Sequence, residues 1–256
     1  MNQPIFISLI LPAYNEVNTI GQTIAEAQIY FRHKGFNYEI IVTADGKDGT
    51  RELVGELAKS NPSLIVIGDP ERRGKGYALR QAIPLSKGQI VGFADADNKT
   101  PIQELDKFLP HFEQGCDLVI GSRALSGSLI EKRQPWYRQL GSKGFGVAMH
   151  LIVGLHDVPD TQCGFKFFRR EVALDLFKRQ MIDGYMYDVE ILYLAERSGY
   201  RLKQVGIRWK DDGDSRLMLV RGNIRNGLDL LRIRFSSTKY EERIYSKQPI
   251  YFDRAE

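Results

Sequence analysis

Short β-branched runs alternate with helical patterns through the first half of the 256-residue chain, and this rhythm constrains its fold more than any other feature. Residues 5–11, 38–43, 63–67, 90–93 and 117–120 read as strands, several of them apolar on both faces as buried parallel strands are. Between the first two, Asn18 is placed as the N-cap of a helix with Ile20, Ile24, Ala27 and Phe31 on one face. Helices near 49–59, 76–86 and 101–112 fill the remaining gaps. The alternation predicts an α/β fold: an open, mostly parallel sheet flanked by helices.

Past Arg123 the regularity fades. A basic segment, 131–143, runs into an apolar stretch at 144–155. A strand near 164–168, helices near 171–178 and 187–198, a strand at 202–209 and a helix at 217–235 follow. Residues 236–256 show charges and tyrosines without a clear period, as a poorly ordered tail does. No repeat or low-complexity linker divides the chain, so residues 1–235 are expected to form one domain.

A net charge of +4 is too small to mark a nucleic-acid binder, so no nucleic-acid partner is expected. The stretch 144–155 holds three glycines and a histidine. It falls short of the ~20 apolar residues that cross a bilayer. No signal peptide precedes the first strand, and Cys116 and Cys163 read as free thiols in a reducing compartment. These features predict a cytoplasmic protein, or one peripheral on the inner face of a membrane.

Ligands of open α/β sheets bind beyond the carboxyl ends of the strands, so the residues that follow each strand test for function. Those segments are Pro12-Ala13-Tyr14-Asn15-Glu16, Ala44-Asp45-Gly46-Lys47-Asp48-Gly49-Thr50, Arg72-Arg73-Gly74-Lys75-Gly76 and Asp95-Ala96-Asp97. Carboxylates at Asp95 and Asp97 can share one divalent ion where the chain turns, and oxygen ligands suit Mg²⁺ or Mn²⁺. Such an ion would bridge the phosphates of a nucleoside diphosphate. The plainer alternative has one aspartate capping the helix near Pro101 and the other solvated. Gly74-Lys75-Gly76 is not a P-loop, since Asp69 stands where the earlier glycine is required and Tyr77 replaces Ser/Thr. No GxGxxG follows a strand.

Together with Gly121-Ser122-Arg123, these motifs resemble the family 2 glycosyltransferases of GT-A fold, in their polyprenyl-phosphate sugar synthase branch. Asp160-Thr161-Gln162-Cys163-Gly164-Phe165-Lys166, the run Tyr187 to Tyr193, and Trp209 followed by Gly213-Asp214-Ser215-Arg216-Leu217 look like the dolichyl-phosphate glucosyltransferases. The likeness covers roughly residues 5 to 235.

The resemblance implies an inverting transfer of a hexose, glucose favoured, from a nucleotide-sugar donor, UDP favoured, to a polyprenyl phosphate acceptor. It implies that Pro12, Tyr14 and Glu16 line the nucleoside pocket and that Asp45 meets the base or ribose. Lys75 would lie near the diphosphate, and Asp95 and Asp97 would hold the metal. Arg123, Arg133, Ser215 and Arg216 would face the acceptor phosphate, with Asp188 and Glu190 on the sugar side. Lys99 departs from the pattern, standing where dolichyl-phosphate mannose synthases often carry a glutamine near the metal. Arg216 replaces a usual lysine and adds a bidentate fork. The resemblance places membrane anchors on eukaryotic members of the family; none is expected from this sequence.

A lipid monophosphate has a second pKa near ~6 and needs no general base. Arg123, Arg133 and Arg216 would then matter more than a catalytic carboxylate. A sugar hydroxyl would need a base, and Asp188 or Glu190 are the candidates. Membrane contact is expected through residues 133–155 and the last helix, a C-terminal amphipathic element where Arg225, Arg232 and Arg234 sit near Leu228, Leu231 and Phe235. Two other readings stay open: a soluble glycosyltransferase, and a non-catalytic nucleotide-sugar binding module.

Overall fold

The computed structural model describes residues 4–130, 152–155, 157–210 and 221–235. Its sheet strands are β1 (Ile7–Tyr14), β2 (Tyr38–Asp45), β3 (Leu64–Ile67), β4 (Ile90–Phe93), β5 (Leu118–Ser122), β7 (Lys166–Arg169) and β8 (Leu202–Gly206). They form a seven-stranded sheet in the order β3-β2-β1-β4-β7-β5-β8. A separate two-stranded ribbon pairs β6 (Leu129–Ile130) with β9 (Arg208–Trp209).

Pairing is parallel from β3 through β4, as apolarity on both strand faces predicts. β7 then enters antiparallel between β4 and β5, with Phe93 opposite Lys166 and Val119 opposite Phe167. This one reversed strand delivers the residues before Lys166 to the carboxyl ends of β1, β2 and β4. The strand order also turns back between β1 and β4, which opens a crevice at that edge.

Side chains alternate across the sheet into two cores. One buries Ile10, Ile41, Phe93, Ile120 and Phe168 against α3 (Lys75–Ala82), α5 (Arg170–Arg179), α6 (Tyr187–Arg197) and α7 (Arg221–Phe235). The other buries Leu9, Leu11, Val42 and Phe167 against α1 (Ile20–His33) and the segment from Ile102 to Phe112. α2 (Thr50–Lys59) adds Val54 to this second core. On α1, Ile20, Ile24, Ala27 and Phe31 are buried together, as their spacing predicts.

Three local expectations are corrected. Thr19, not Asn18, is the N-cap of α1, and Asn18 lies exposed just before it. The helix expected at 101–112 is a 3₁₀ turn, Ile102–Lys107, followed by α4 (Leu109–Glu113). Pro110 stands in the first turn of α4, because it cannot donate the hydrogen bond a continuous helix requires there. The strand at 202–209 divides at Ile207, which is buried in the core, and its end leaves the main sheet to pair with β6. The expected starts of the last helix at Leu217 and of the tail at residue 236 lie outside the described residues, as does most of 144–155.

Candidate active site

The crevice is built from the turns after β1, β2, β3 and β4, closed on one side by the turn before β7 and the start of α6. Tyr14 ends β1 opposite Asp45, the last residue of β2. The Asp45 carboxylate accepts the backbone N–H of Asp69 at 3.1 Å and of Arg73 at 3.2 Å, so it pins the loop that follows β3. From that loop Arg72 lays its guanidinium 4.5 Å above the Tyr14 ring and donates to the Tyr185 hydroxyl at 2.9 Å. The loop ends at Gly74, whose φ of +108° is costly for other residues and whose added Cβ would stand 2.3 Å from the Asp183 carbonyl oxygen. Glycine lets the chain pass there and deliver Lys75 to the crevice at the first position of α3.

Glu16 and Pro12 occupy the β1 side. Pro12 lies beyond Ile10, the last residue of β1 that pairs with β4, where the two strands part. Glu16 accepts a hydrogen bond from the Thr19 hydroxyl at 2.9 Å, and its own backbone N–H donates to Thr50 Oγ1 at 2.9 Å. Both residues are half-buried at the crevice wall.

Asp95 and Asp97 follow β4. Asp95 forms an ion pair with Lys75, whose ammonium also lies 5.7 Å from the Phe93 ring. Burial alone would raise the Asp95 carboxyl, but Lys75, then Arg123 and Lys166, hold it below the ordinary range. Asp97 is pushed up by burial and by the charge of Asp95, although Lys99 opposes this. The Lys99 ammonium sits 2.9 Å from Asp97 Oδ2. Gly164 closes against Asp95 from the other side: an added Cβ would lie 2.1 Å from Asp95 Oδ2.

Arg123 directly follows β5 and is gripped by Asp160. Its Nε and Nη2 each donate to that carboxylate at 2.8 Å, as does its backbone N–H. The guanidinium also lies 5.3 Å from the Trp209 ring. Burial would raise the Asp160 carboxyl, yet these hydrogen bonds hold it down. Arg123 is therefore fixed at the crevice edge with its planar fork turned toward Asp160.

Lys166, at the start of β7, has no exposure, and its ammonium is shared between Asp188 Oδ1 and the Cys163 carbonyl oxygen, each at 2.6 Å. Asp188 is thus inside the charged cluster, on its buried floor. Glu190 does not meet its expectation. It is completely buried, and its two oxygens accept the backbone N–H groups of Met181 at 2.8 Å and Ile182 at 2.9 Å. It anchors the turn before α6, and with both oxygens committed to backbone amides the reading of Glu190 as a base is corrected.

Pro12, Tyr14, Glu16, Asp45, Lys75, Asp95, Asp97, Arg123 and Asp188 all reach this edge, whereas Arg133, Ser215 and Arg216 lie outside the described residues. Sequence reasoning gave no role to Asp160 or Lys166, and took Arg72 only as one of the arginines beside Lys75 that approach a diphosphate. A lysine inside Phe165-Lys166-Phe167-Phe168 was the available signal, since a charge in an aromatic strand needs a buried partner. Among the described residues, no group of three or more His, Cys, Asp or Glu could hold a metal ion. Two carboxylates nevertheless suffice for Mg²⁺-type binding when substrate phosphates complete the shell.

Residues 8–177 match Glycosyl transferase family 2. A dolichyl-phosphate β-glucosyltransferase of Trichomonas vaginalis is 33% identical over 241 residues, covering 90% of this chain and 71% of that one. The Homo sapiens dolichyl-phosphate β-glucosyltransferase is 31% identical, covering 89% of this chain and 74% of its own. Among solved structures, mannosyl-3-phosphoglycerate synthase from Rubrobacter xylanophilus has TM-score 0.63 at 18% identity, covering 98% of this chain and 79% of that one. Glucosyl-3-phosphoglycerate synthase from Mycobacterium tuberculosis, solved with Mn²⁺, UDP and phosphoglyceric acid, has TM-score 0.63 at 22% identity, covering 90% and 78%. The sheet with its single reversed strand is accordingly a GT-A fold, and this chain belongs to glycosyltransferase family 2.

Proposed function

We propose that this enzyme transfers glucose from UDP-glucose to a dolichyl-type polyprenyl phosphate, with inversion at the anomeric carbon and with help from Mg²⁺ or Mn²⁺. The observation that carries the reading is the convergence of Asp95, Asp97, Lys75 and Arg123 on one strand edge, together with relatives above 30% identity named for this reaction.

Asp95 and Asp97 are the residues that would hold the ion; Asp97 is raised first by burial and then by the charge of Asp95, and a cation would relieve that second effect. An ion held there would supply positive charge to offset that of the departing diphosphate. Arg72 over Tyr14 forms an aromatic and cationic wall suited to a nucleoside, held in register by Asp45. Lys75 reaches toward the diphosphate from the start of α3, with Asp188 and Lys166 fixing the floor beneath it. Arg123, with Arg133, Ser215 and Arg216 as further candidates, would orient the acceptor phosphate. Because that phosphate arrives charged, the protein's task is to position it and balance its charge.

Membrane contact is part of the proposal. Along α7, Asn226, Leu230 and Ile233 face inward. Leu228, Leu231 and Phe235 are 56%, 44% and 77% exposed among the exposed Arg225, Arg232 and Arg234. An exposed apolar stripe bordered by arginines suits the surface of an anionic bilayer. No helix among the described residues is long and apolar enough to cross one.

The test is a transfer assay with Mg²⁺ or Mn²⁺, a panel of UDP- and GDP-sugars, and a polyprenyl phosphate in detergent. A glucosyl lipid phosphate formed from UDP-glucose is the expected product. Donor consumption that ignores the lipid would overturn the acceptor assignment, and full activity in excess chelator would overturn the metal.

A further inference from the structure

Asp97 is held twice by one residue. The Lys99 ammonium lies 2.9 Å from Oδ2, and the Lys99 backbone N–H donates to Oδ1 at 3.3 Å. The Lys99 side chain is only 15% exposed, so the contact is more than a passing surface pair. Its main chain is fixed independently: its carbonyl accepts the Lys210 N–H at 3.0 Å, and the preceding Asn98 sits at a φ of +56°. Departure from Asp97 is therefore a motion of the Lys99 side chain on a fixed main chain.

Room for that departure exists. A cavity of about 340 Å³ adjoins Asp97 and Lys99, lined also by Thr23, Glu26, Asn98 and Lys210. The Glu26 carboxylate lies within this wall, accepting from Asn98 Nδ2 at 2.6 Å. An ammonium that swings from Asp97 into the cavity therefore meets another carboxylate instead of a hydrocarbon surface.

We propose that Lys99 is an internal cation that occupies Asp97 in the donor-free protein and vacates it only when donor and divalent ion arrive together. The inference rests on the reading of Asp95 and Asp97 as metal carboxylates. With Lys75 on Asp95 and Lys99 on Asp97, each carboxylate already carries a cation before any ligand enters. An ion arriving alone has to displace an ammonium and leaves a local excess of positive charge. A nucleoside diphosphate removes that excess, because its oxygens can take up the ammonium of Lys75 while Lys99 turns toward Glu26. Lys99 thus couples ion binding to nucleotide binding, which keeps the carboxylate pair from accumulating metal without a donor.

The experiment measures Mn²⁺ affinity directly, by the electron paramagnetic resonance signal of free Mn²⁺, with and without UDP. The parent protein is expected to bind Mn²⁺ weakly alone and at least about tenfold tighter with UDP, a difference of about 1.4 kcal/mol. Lys99→Gln is expected to bind Mn²⁺ alone at least about tenfold tighter than the parent and to gain correspondingly less from UDP. Lys99→Met serves as a second uncharged variant should the amide disturb the turn, and Lys99→Arg, which keeps the charge, is expected to retain the parent's behaviour. Equal Mn²⁺ affinity for the parent and the uncharged variants without UDP overturns the role of Lys99 while leaving the metal reading intact. If Lys99→Arg tightens Mn²⁺ as Lys99→Gln does, charge is not the cause and the proposal fails. If no form binds Mn²⁺ even with UDP, the metal reading falls, and this inference with it.

Discussion

The approach of Gly164 to Asp95 makes a prediction whose size can be read from distances. In Gly164→Ala the new Cβ would sit 2.1 Å from Asp95 Oδ2, 2.5 Å from Cγ and 2.6 Å from Oδ1. Real Cβ contacts essentially never fall below 3.0 Å, so the carboxylate has to retreat by about 0.9 Å. The backbone at Gly164 is outside the left-handed region and accepts alanine. The clash is with the far end of a side chain, so stability should change by only about 1 kcal/mol. Function is more exposed, because Asp95 is held between Lys75 and the Gly164 backbone. Misplacement of a reacting-site group by about 1 Å costs on the order of 10²-fold.

The assay is kcat/KM for glucosyl transfer from UDP-glucose to a short polyprenyl phosphate, read beside thermal melting. A loss near 10²-fold with an almost unchanged Tm is expected. Gly21→Ala is the control: Gly21 lies in α1 with nothing within 4 Å of an added Cβ. It should keep full activity and gain up to about 1 kcal/mol of helix stability. If Gly164→Ala retained kcat/KM within about threefold of the parent, the argument that Asp95 must stand where only glycine allows it would be refuted.

Three further outcomes follow from contacts elsewhere. Lys166→Met leaves Asp188 as a buried unpaired charge and should cost about 3–5 kcal/mol. Adding Asp188→Leu should recover most of that stability without recovering transfer, and recovered transfer would mean the pair only supports the fold. The Asp160 and Glu104 carboxyls are both subject to burial, yet Arg123 holds the first down and Lys107 with Arg208 the second. Depressed folded-state values mean their stabilisation is present above about pH 4 and is lost as pH falls through the folded values. Tm should therefore drop in that acid range, less steeply in Asp160→Asn, and an identical acid slope would contradict the assignment. Leu228→Ser with Leu231→Ser on the outward side of α7 should reduce cosedimentation with anionic vesicles at constant Tm, and undiminished cosedimentation would exclude α7 as the contact.

The parallel half of the sheet was legible because several of its strands are apolar on both faces and polar residues follow each. β7 was legible as a strand but not in its place. Its pairing joins Val91 to Phe168 and Leu118 to Phe168, contacts far apart in sequence that no local periodicity encodes. The misjudged Glu190 had a local signal. Residues two apart on a helix are turned about 200° from one another, so Asp188 and Glu190 cannot both face one cleft. Asp45 and Asp160 were harder, since their partners are backbone amides and an arginine brought in by other loops.

The electrostatics of the edge also bear on the nucleophile, the point that separates a lipid phosphate from a hydroxyl acceptor. A hydroxyl needs a carboxylate free to take its proton, with a pKa near the working pH. Asp95 and Asp160 are held below the ordinary range by their cations, and Asp188 is committed to the buried Lys166. Asp97 is raised, but it is engaged by Lys99 and assigned to the ion. An acceptor that brings its own negative charge fits this edge better. The pH profile then belongs to the substrate: kcat/KM for the acceptor should rise through about pH 6, the second ionisation of a phosphate monoester, and level off above it. Replacing the lipid phosphate by the more basic phosphonate should carry the inflection upward with the acceptor. An inflection that stays fixed when the acceptor changes would assign the proton to the enzyme, revive a carboxylate base, and remove the main physical reason for preferring a phosphate nucleophile.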